Sequence, residues 1–584
     1  MGAFFFLGVD MRYTVFLLLV LFIFSSCSKK PEVYVHDLKT SISTDYLPEK
    51  YMFVRELNTK DRVVFFYQDH EGYTHYYNGK KDTIINREVV DKYKKKGGVP
   101  MSFSYAYDGK YLYFSQPIRW GPKKLIFIKM EPDGKVLYVK ELSSLEQSIR
   151  PASVAFDGKG NMLLTWLDET PPYIKGAYML VKGDSFPQKE EVIAFEDAPV
   201  LSIKPVYTSK GFAILYTKVG KGGDYGELRL RFLSDGSEKT LYAGYGVADF
   251  DISQAGGKFL IRPYEISEKV HLLIFDGNME KVREYAINKP KDISNTFSPY
   301  DNPTLIDGQP FVLAGGIPPN SVSVDGYSLP QRQNVFYSYA GKDFERLVGG
   351  KLFMFTSEMP SVDSSKNYIL VAYVDRRLAS PTIMVSLLDK KGKVIKRDII
   401  IEKPWVSTGS PRVVHLGEDL FRVFYPVEDK KEKVWIYRAK DIKVENLQNL
   451  YDIPPVKDRE KRLAERVKQY VECRKNNDYK CVYRMLDPVY RSGISEAMHE
   501  EMMKRVNAKI TEFRFDRCKI LENSVIAACD GIIKAKLPEQ IMNRPIKEQE
   551  RNIEQKLKGI IWVYVDGDWY YAVDLPMLGY AIRW

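Results

Sequence analysis

Apolar and polar residues alternate along this chain in two different ways. Up to about residue 450 short apolar stretches each follow a polar turn, and beyond residue 455 the apolar residues shift to helical spacing before strands return. The turn residues Asp61, Gly109, Gly160, Gly211, Gly257, Gly308, Asn367 and Glu418 lie 48, 51, 51, 46, 51, 59 and 51 residues apart. They lead into VVFFYQD, KYLYFSQ, NMLLTWLDE, FAILYTK, KFLIRPY, QPFVLAGG, YILVAYVD and DLFRVFYPV, one buried strand written eight times. Further hairpins follow at MEPDGKVLYVKEL, FLSDGSEKTLY, IFDGNMEKVREYAI and LLDKKGKVIKRDI, where Asp-Gly and Lys-Gly steps mark tight turns. A period near fifty residues filled with four short strands is that of a β-propeller blade. The expectation is a mainly β chain with an eight-bladed propeller over residues 50–450, or a seven-bladed one if the weakly patterned first unit shares a blade with the last strands. The sixth connection, AGGIPPNSVSVDGYSLPQRQ, reads as a surface excursion rather than a strand.

After Pro454 and Pro455 the pattern becomes helical, which sets a domain boundary and a C-terminal α+β unit over 455–584. Three helices are expected, Asp458 to Lys475, Asp478 to Tyr490 and Ser495 to Asn507. In the third, Ser495 is the cap, Met498, Met502 and Val506 form the core stripe, and His499 lies at an exposed phase. KITEFRFDRCKI, VIAACDGIIKAKL and GIIWVYVDGDWYYAVD then read as antiparallel strands.

The N-terminus changes the picture of location. Arg12, an apolar run from Tyr13 to Phe24, and Ser25-Ser26-Cys27 form an export signal too short to span a bilayer. Small residues directly before Cys27 resemble the lipobox of bacterial lipoproteins, which implies cleavage after residue 26 and acylation of Cys27. Residues 1–27 are then signal and lipobox, 28–49 a polar tether, and Met11 an alternative start. Membrane attachment is through the lipid anchor, and Ser28 favours the outer membrane, facing the periplasm, over the inner.

Charge and chemistry narrow the function without fixing it. The net charge of +11 comes from 87 basic and 76 acidic residues. No basic block is long or clustered on one face, so no nucleic-acid partner is expected. The connections after the recurring strand gather on one propeller face, and their residues Arg119, Trp120, Asp168, Tyr173, Tyr264, Arg332, Asp375 and Arg376 form the candidate binding face for envelope proteins or glycans. Arginines with Asp168 or Asp375 resemble the carboxylate-binding arrangement of sialidase-like propellers, which makes a carbohydrate-active hydrolase the alternative function. The Ser-x-Asp-x-Gly-x-x-Trp box of that family is missing, so no residue is assigned as catalytic. Asp69, His70 and His75 match no ligand spacing, and DGKGN at 157–161 has Lys159 where an oxygen ligand is needed, so no metal and no cofactor is expected. Gly-Lys-Val turns at Gly134 and Gly392 resemble quinoprotein-type propellers, whose lipid-anchored members are scaffolds in outer-membrane protein assembly.

Asn477-Asp478-Tyr479, LDPVYR (Leu486 to Arg491), Trp562 and VDGDWYY (Val565 to Tyr571) resemble an NTF2-like, SnoaL-type domain over roughly the last 125 residues. That resemblance implies a cone-shaped pocket in a superfamily that includes both enzymes and binding modules. Cys473, Cys481, Cys518 and Cys529 all fall there, an even number in an exported chain. Local pairing, Cys473 with Cys481 and Cys518 with Cys529, is the expected connectivity among three, the alternative being small buried thiols. The reading is a lipid-anchored envelope binding or scaffold protein.

Overall fold

The computed structural model describes residues 35–43, 52–53, 65–68 and 72–77, then 81–448 apart from 102, 120–123, 143–149, 221, 291–297, 317–321, 325–326, 330–333, 348–356, 376–381, 403–410 and 430–433, and finally 456–572 apart from 487–490, 492–493, 507, 522–525, 542–543 and 566–567. The signal segment, Asp61, Asp69 and His70 lie outside these residues.

Besides one two-stranded hairpin, eight antiparallel sheets precede residue 444 among the described residues, seven of four strands and the second of five. The fourth, for example, runs Val200–Thr208, Gly211–Val219, Tyr225–Phe232 and Glu238–Tyr245, and the fifth Asp249–Ala255, Lys258–Tyr264, Lys269–Phe275 and Lys281–Asn288. The turns recur because their backbone demands it. Gly109, Gly160, Gly211, Gly257 and Gly308 all have positive φ, between 71° and 101°, where a side chain would be strained. Between the third and fourth strands of the second, fourth, fifth and seventh sheets an aspartate ties the turn: Asp133, Asp235, Asp276 and Asp389 each accept from a backbone N–H two residues on, at 2.9 Å.

Successive sheets pack face to face. Leu163, Tyr178 and Ile193 of the third meet Ile203, Ile214 and Tyr216 of the fourth, and Leu215, Leu230 and Phe232 of the fourth meet Phe250, Phe259 and Leu273 of the fifth. The first strand of a sheet touches the first strand of the next from the second sheet through to the eighth, so these strands stand together around an axis. Hairpin turns of neighbouring sheets are joined on one side of the ring, as in Ser209 Oγ to the Gly277 carbonyl at 2.8 Å and Lys390 to Asp307 at 2.9 Å. A mainly β chain of repeated four-stranded meanders packed in this way is a β-propeller.

Four features differ from the sequence expectation. The segment 28–49 is not wholly a tether, because Val35–Ser43 forms the outer strand of the eighth sheet, antiparallel to Val434–Lys443 with Val35 opposite Lys440 and Leu38 opposite Tyr437. The sixth connection contains a small hairpin, Val322–Val324 with Tyr327–Leu329, on either side of an Asp-Gly step. Helix α1, Arg87–Lys94, lies between the first and second sheets and buries Val90 and Tyr93. Its apolar residues are too few for the periodicity to stand out.

The fourth difference lies in the C-terminal unit, where helices α2 (Val456–Lys475), α3 (Tyr479–Met485) and α4 (Glu496–Val506) accompany a sheet of Lys509–Ile520, Ile526–Lys536, Asn552–Val565 and Asp568–Tyr571. Asp478 caps α3 by accepting from Cys481 N at 3.0 Å. In α4 the expected phase is turned: Met498 and Met502 are 56% and 46% exposed, whereas His499 is 5% exposed and packs on the Tyr483 ring at 5.7 Å. Contact with α3 sets the buried face, and the methionines fall on the opposite one. Trp562 and Trp569 are fully buried, and Tyr470 of α2 stacks on Tyr571 with centroids 4.9 Å apart. Disulfides join Cys473 to Cys481 and Cys518 to Cys529. The second pair sits directly opposite in register, with Cα atoms 4.1 Å apart, the close approach of a non-hydrogen-bonded pair.

Candidate binding face

The recurring second strand of each sheet carries the candidate residues at its C-terminal end. Arg119 closes Leu112–Arg119, Asp168 closes Asn161–Asp168, Tyr264 closes Lys258–Tyr264 and Asp375 closes Tyr368–Asp375, in the second, third, fifth and seventh sheets. These ends form one rim, on the side of the ring away from the bonded hairpin turns. Tyr173 lies in the connection after Asp168 and is exposed. Trp120, Arg332 and Arg376 lie outside the described residues, as does Cys27.

The rim carboxylates are not free-standing acids. Asp168 is 2% exposed and accepts from Thr170 N at 3.0 Å and Thr170 Oγ1 at 2.6 Å, so it holds the start of its own connection. Asp375 is 1% exposed, opposite the buried Thr382. Three sheets lie between the third and the seventh in chain order, so the two aspartates belong to sheets that are not neighbours along the chain.

Around Tyr264 the rim becomes a polar cluster that sequence reasoning missed. The Tyr264 hydroxyl donates to Asp251 Oδ2 at 2.7 Å, and Arg262 Nη2 reaches both Asp251 and the Tyr264 oxygen. Lys204, on the first strand of the fourth sheet, donates to the Phe250 carbonyl at 2.6 Å and lies 3.8 Å from Asp251. Burial lowers its pKa, and Asp251 and Asp249 only partly offset that. Arg150, entering the third sheet, reaches the Leu201 carbonyl at 3.3 Å and Asp249 at 3.6 Å. The signal available in the sequence was Arg262 itself. Five residues after the turn, other units carry Thr165, Leu313, Ala372 and Val423.

Beside this cluster Tyr242 donates to Glu265 Oε2 at 2.7 Å, and His271 Nδ1 contacts both. Burial, then Glu265, pushes the Tyr242 hydroxyl well above its usual range. Tyr225, Tyr245 and Ile266 are exposed at the same end of the fourth and fifth sheets, where Ile266 N donates to the Tyr245 carbonyl at 3.0 Å. No three His, Cys, Asp or Glu side chains gather as metal ligands among the described residues.

No protein-family model matches the sequence. No curated protein matches it either. Among solved structures, the WD40 domain of SCAP from fission yeast is similar at 10% identity and TM-score 0.38, over 71% of this chain and 99% of that one. The β-propeller domain of the Trilobed protease from Pyrococcus furiosus is similar at 12% identity and TM-score 0.28, over 48% and 80%. A structure from work on two prolyl endopeptidases gives 11% identity and TM-score 0.37 over 64% of this chain, which spans 54% of that one, about half its length. None of these similarities bears on what this chain binds or does.

Proposed function

We propose that this chain is a lipid-anchored protein of the bacterial cell envelope whose eight-bladed propeller presents its rim to a protein partner or glycan, and whose C-terminal NTF2-like unit adds a second binding surface. The observation that carries the binding reading is the separation of Asp168 and Asp375. Glycoside hydrolysis by paired carboxylates needs them roughly 5–10 Å apart with one kept as an acid. Two aspartates four sheets apart, one already committed to Thr170, are anchors of rim connections instead.

Eight blades are supported by the eight sheets and by closure of the last through Val35–Ser43. Among the described residues, helices α2, α3 and α4 accompany a four-stranded antiparallel sheet, with the aromatic residues Tyr470, Phe513, Trp562 and Tyr571 clustered together, which supports the NTF2-like reading. The strand direction also bears on the anchor. Val35 lies opposite Lys440, near the end of the eighth sheet's third strand, and Ser43 lies opposite Val434, at its rim end. The chain therefore enters the ring from the side opposite the rim. An acylated Cys27 eight residues earlier, a reach of about 29 Å at most, leaves the rim facing away from the bilayer.

Crosslinking and pull-down of the lipidated protein from its native envelope tests the reading, with glycan-binding and glycosidase-substrate panels run alongside. Stable partners lost on substituting Tyr173 and Arg119, with no substrate turnover, are the expected result. Turnover abolished in D168A or D375A overturns it in favour of the hydrolase.

A further inference from the structure

The fourth sheet departs from its neighbours at the rim end of its two outer strands. Its third strand opens on Tyr225, where the same strand of the second, third and fifth sheets opens on Lys124, Lys175 and Lys269. Its fourth strand closes on Tyr245, where that of the second and fifth closes on Glu141 and Asn288. Tyr225 and Tyr245 stand directly opposite each other in the ladder, so both rings leave the same face of the sheet with their Cβ atoms about 5 Å apart. Each is 55% exposed. Polar and charged residues are what guard an outer strand, so nothing in the scaffold asks for this pair.

The backbone beneath the pair is fixed. At Gly226 a Cβ would overlap the Val247 carbonyl oxygen, and at Gly246 it would stand 2.7 Å from Ile266 Cγ1. The carbonyls of Asp224, Tyr225 and Tyr245 accept from the N–H groups of Gly246, Gly220 and Ile266 at 2.8, 2.8 and 3.0 Å. Leu228 and Leu230 turn the opposite face toward the fifth sheet, and the next pair along the tyrosine face is Glu227 with Ala243. Ala243 is small and exposed, and the Glu227 side chain is 39% exposed, with Arg229 3.8 Å from one of its oxygens. Two rings therefore lie side by side on the surface, next to a carboxylate that accepts hydrogen bonds.

Size and hydrogen bonding select the ligand. Two half-exposed rings offer far less than the roughly 800 Å² that a folded partner covers on each side. A peptide laid along the sheet is held by main-chain groups, and the carbonyls at this end are already taken. A sugar chain needs neither a large area nor main-chain partners, because the C–H faces of its rings stack on aromatic rings and its hydroxyls donate to a carboxylate. We propose that Tyr225 and Tyr245 form a stacking platform for a neutral glycan, with Glu227 accepting from a sugar hydroxyl. The proposal rests on the reading of the rim as a binding face and names the ligand class of one part of it.

Full-length protein in a detergent without a sugar headgroup, titrated calorimetrically with maltohexaose, cellohexaose, chitohexaose acetylated on every nitrogen, hexagalacturonate and a proline decapeptide, tests it. Saturable binding of a neutral hexasaccharide is expected, with hexagalacturonate weaker because its carboxylates meet Glu227. Y225A and Y245A should each weaken binding about fivefold, whereas Y225F and Y245F keep the rings and should stay within about twofold of wild type. E227Q should weaken binding about threefold. Both tyrosines are exposed, so the melting curves of their variants should not move. Absence of saturable binding by every neutral sugar, tighter binding of hexagalacturonate or of the peptide, or wild-type affinity in the Y225A/Y245A double variant or in E227Q overturns the proposal. Capture of envelope partners is a separate readout from glycan titration, so failure of one reading is distinguishable from failure of the other.

Discussion

Removing the two disulfides of the C-terminal unit should cost that unit most of its stability. Cys473–Cys481 closes a loop of eight residues' separation between α2 and α3, and Cys518–Cys529 one of eleven across the first two strands of the sheet. Restricting the unfolded chain by loops this short is worth about 2.5–3 kcal/mol each, so the pair contributes about 5–6 kcal/mol. A domain of about a hundred residues has a total of only about 5–15 kcal/mol. C473A/C481A and C518A/C529A should each lose about half of the 5–6 kcal/mol, and the four-alanine variant should be largely unfolded in this unit at 37 °C. Cys529 is fully buried, so alanine also leaves a small cavity worth about 1 kcal/mol. Urea unfolding read by hydrogen-exchange mass spectrometry separates this unit from the sheets before residue 444. A four-alanine variant whose midpoint for 456–572 moves by less than about 1 kcal/mol would refute the loop-entropy argument.

Three further outcomes are expected. Deleting residues 35–43 strips the eighth sheet of its outer strand, and with five consecutive paired positions at about 0.5–1.5 kcal/mol per hydrogen bond the ring should lose several kcal/mol in urea, an unchanged midpoint arguing against closure by this strand. Burial, and then Arg474, lowers the His499 pKa below its usual 6.5. The unfolded chain therefore binds the proton first, and stability of the C-terminal unit should fall as pH drops below about 6.5, a slope that H499Q should flatten in pH-dependent melting. Asp568 accepts from Arg462 Nε at 2.8 Å and lies 3.2 Å from Arg466, which is itself buried and also bonds the Trp569 carbonyl. D568A should thus destabilise by about 1–3 kcal/mol through the stranded Arg466, with R462A costing less because that side chain is half exposed, as paired melting curves would show.

Turns and inner strands were legible in the sequence because their physics is local. A left-handed turn needs Gly109 or Gly211, and a strand buried on both faces needs an unbroken apolar run such as YILVAYVD. Outer strands offer no such signature. Glu238–Tyr245 and Lys281–Asn288 are largely exposed and polar, and the sequence VHDLKTSIS of Val35–Ser43 is polar too, so an outer strand and a tether look alike until a partner strand is known. Helix α4 failed for a related reason. Its methionines follow a helical stripe, but which stripe faces inward depends on Tyr483 of another helix.

The candidate face divides along the same line. Residues at the ends of second strands could be placed on one rim from the repeat alone, because the repeat fixes strand direction. Whether two of them meet depends on how many sheets lie between, and that count separates Asp168 from Asp375. The cluster around Arg262 draws on strands that begin at residues 200, 249 and 258, and no single stretch of sequence brings these together. Its one local trace was a charge inside an apolar run. A buried arginine at a repeat position that elsewhere holds alanine, leucine, valine or threonine marks a departure from what packing asks. In a repeating fold such a departure is where function is to be sought, since every other unit shows what the scaffold alone requires.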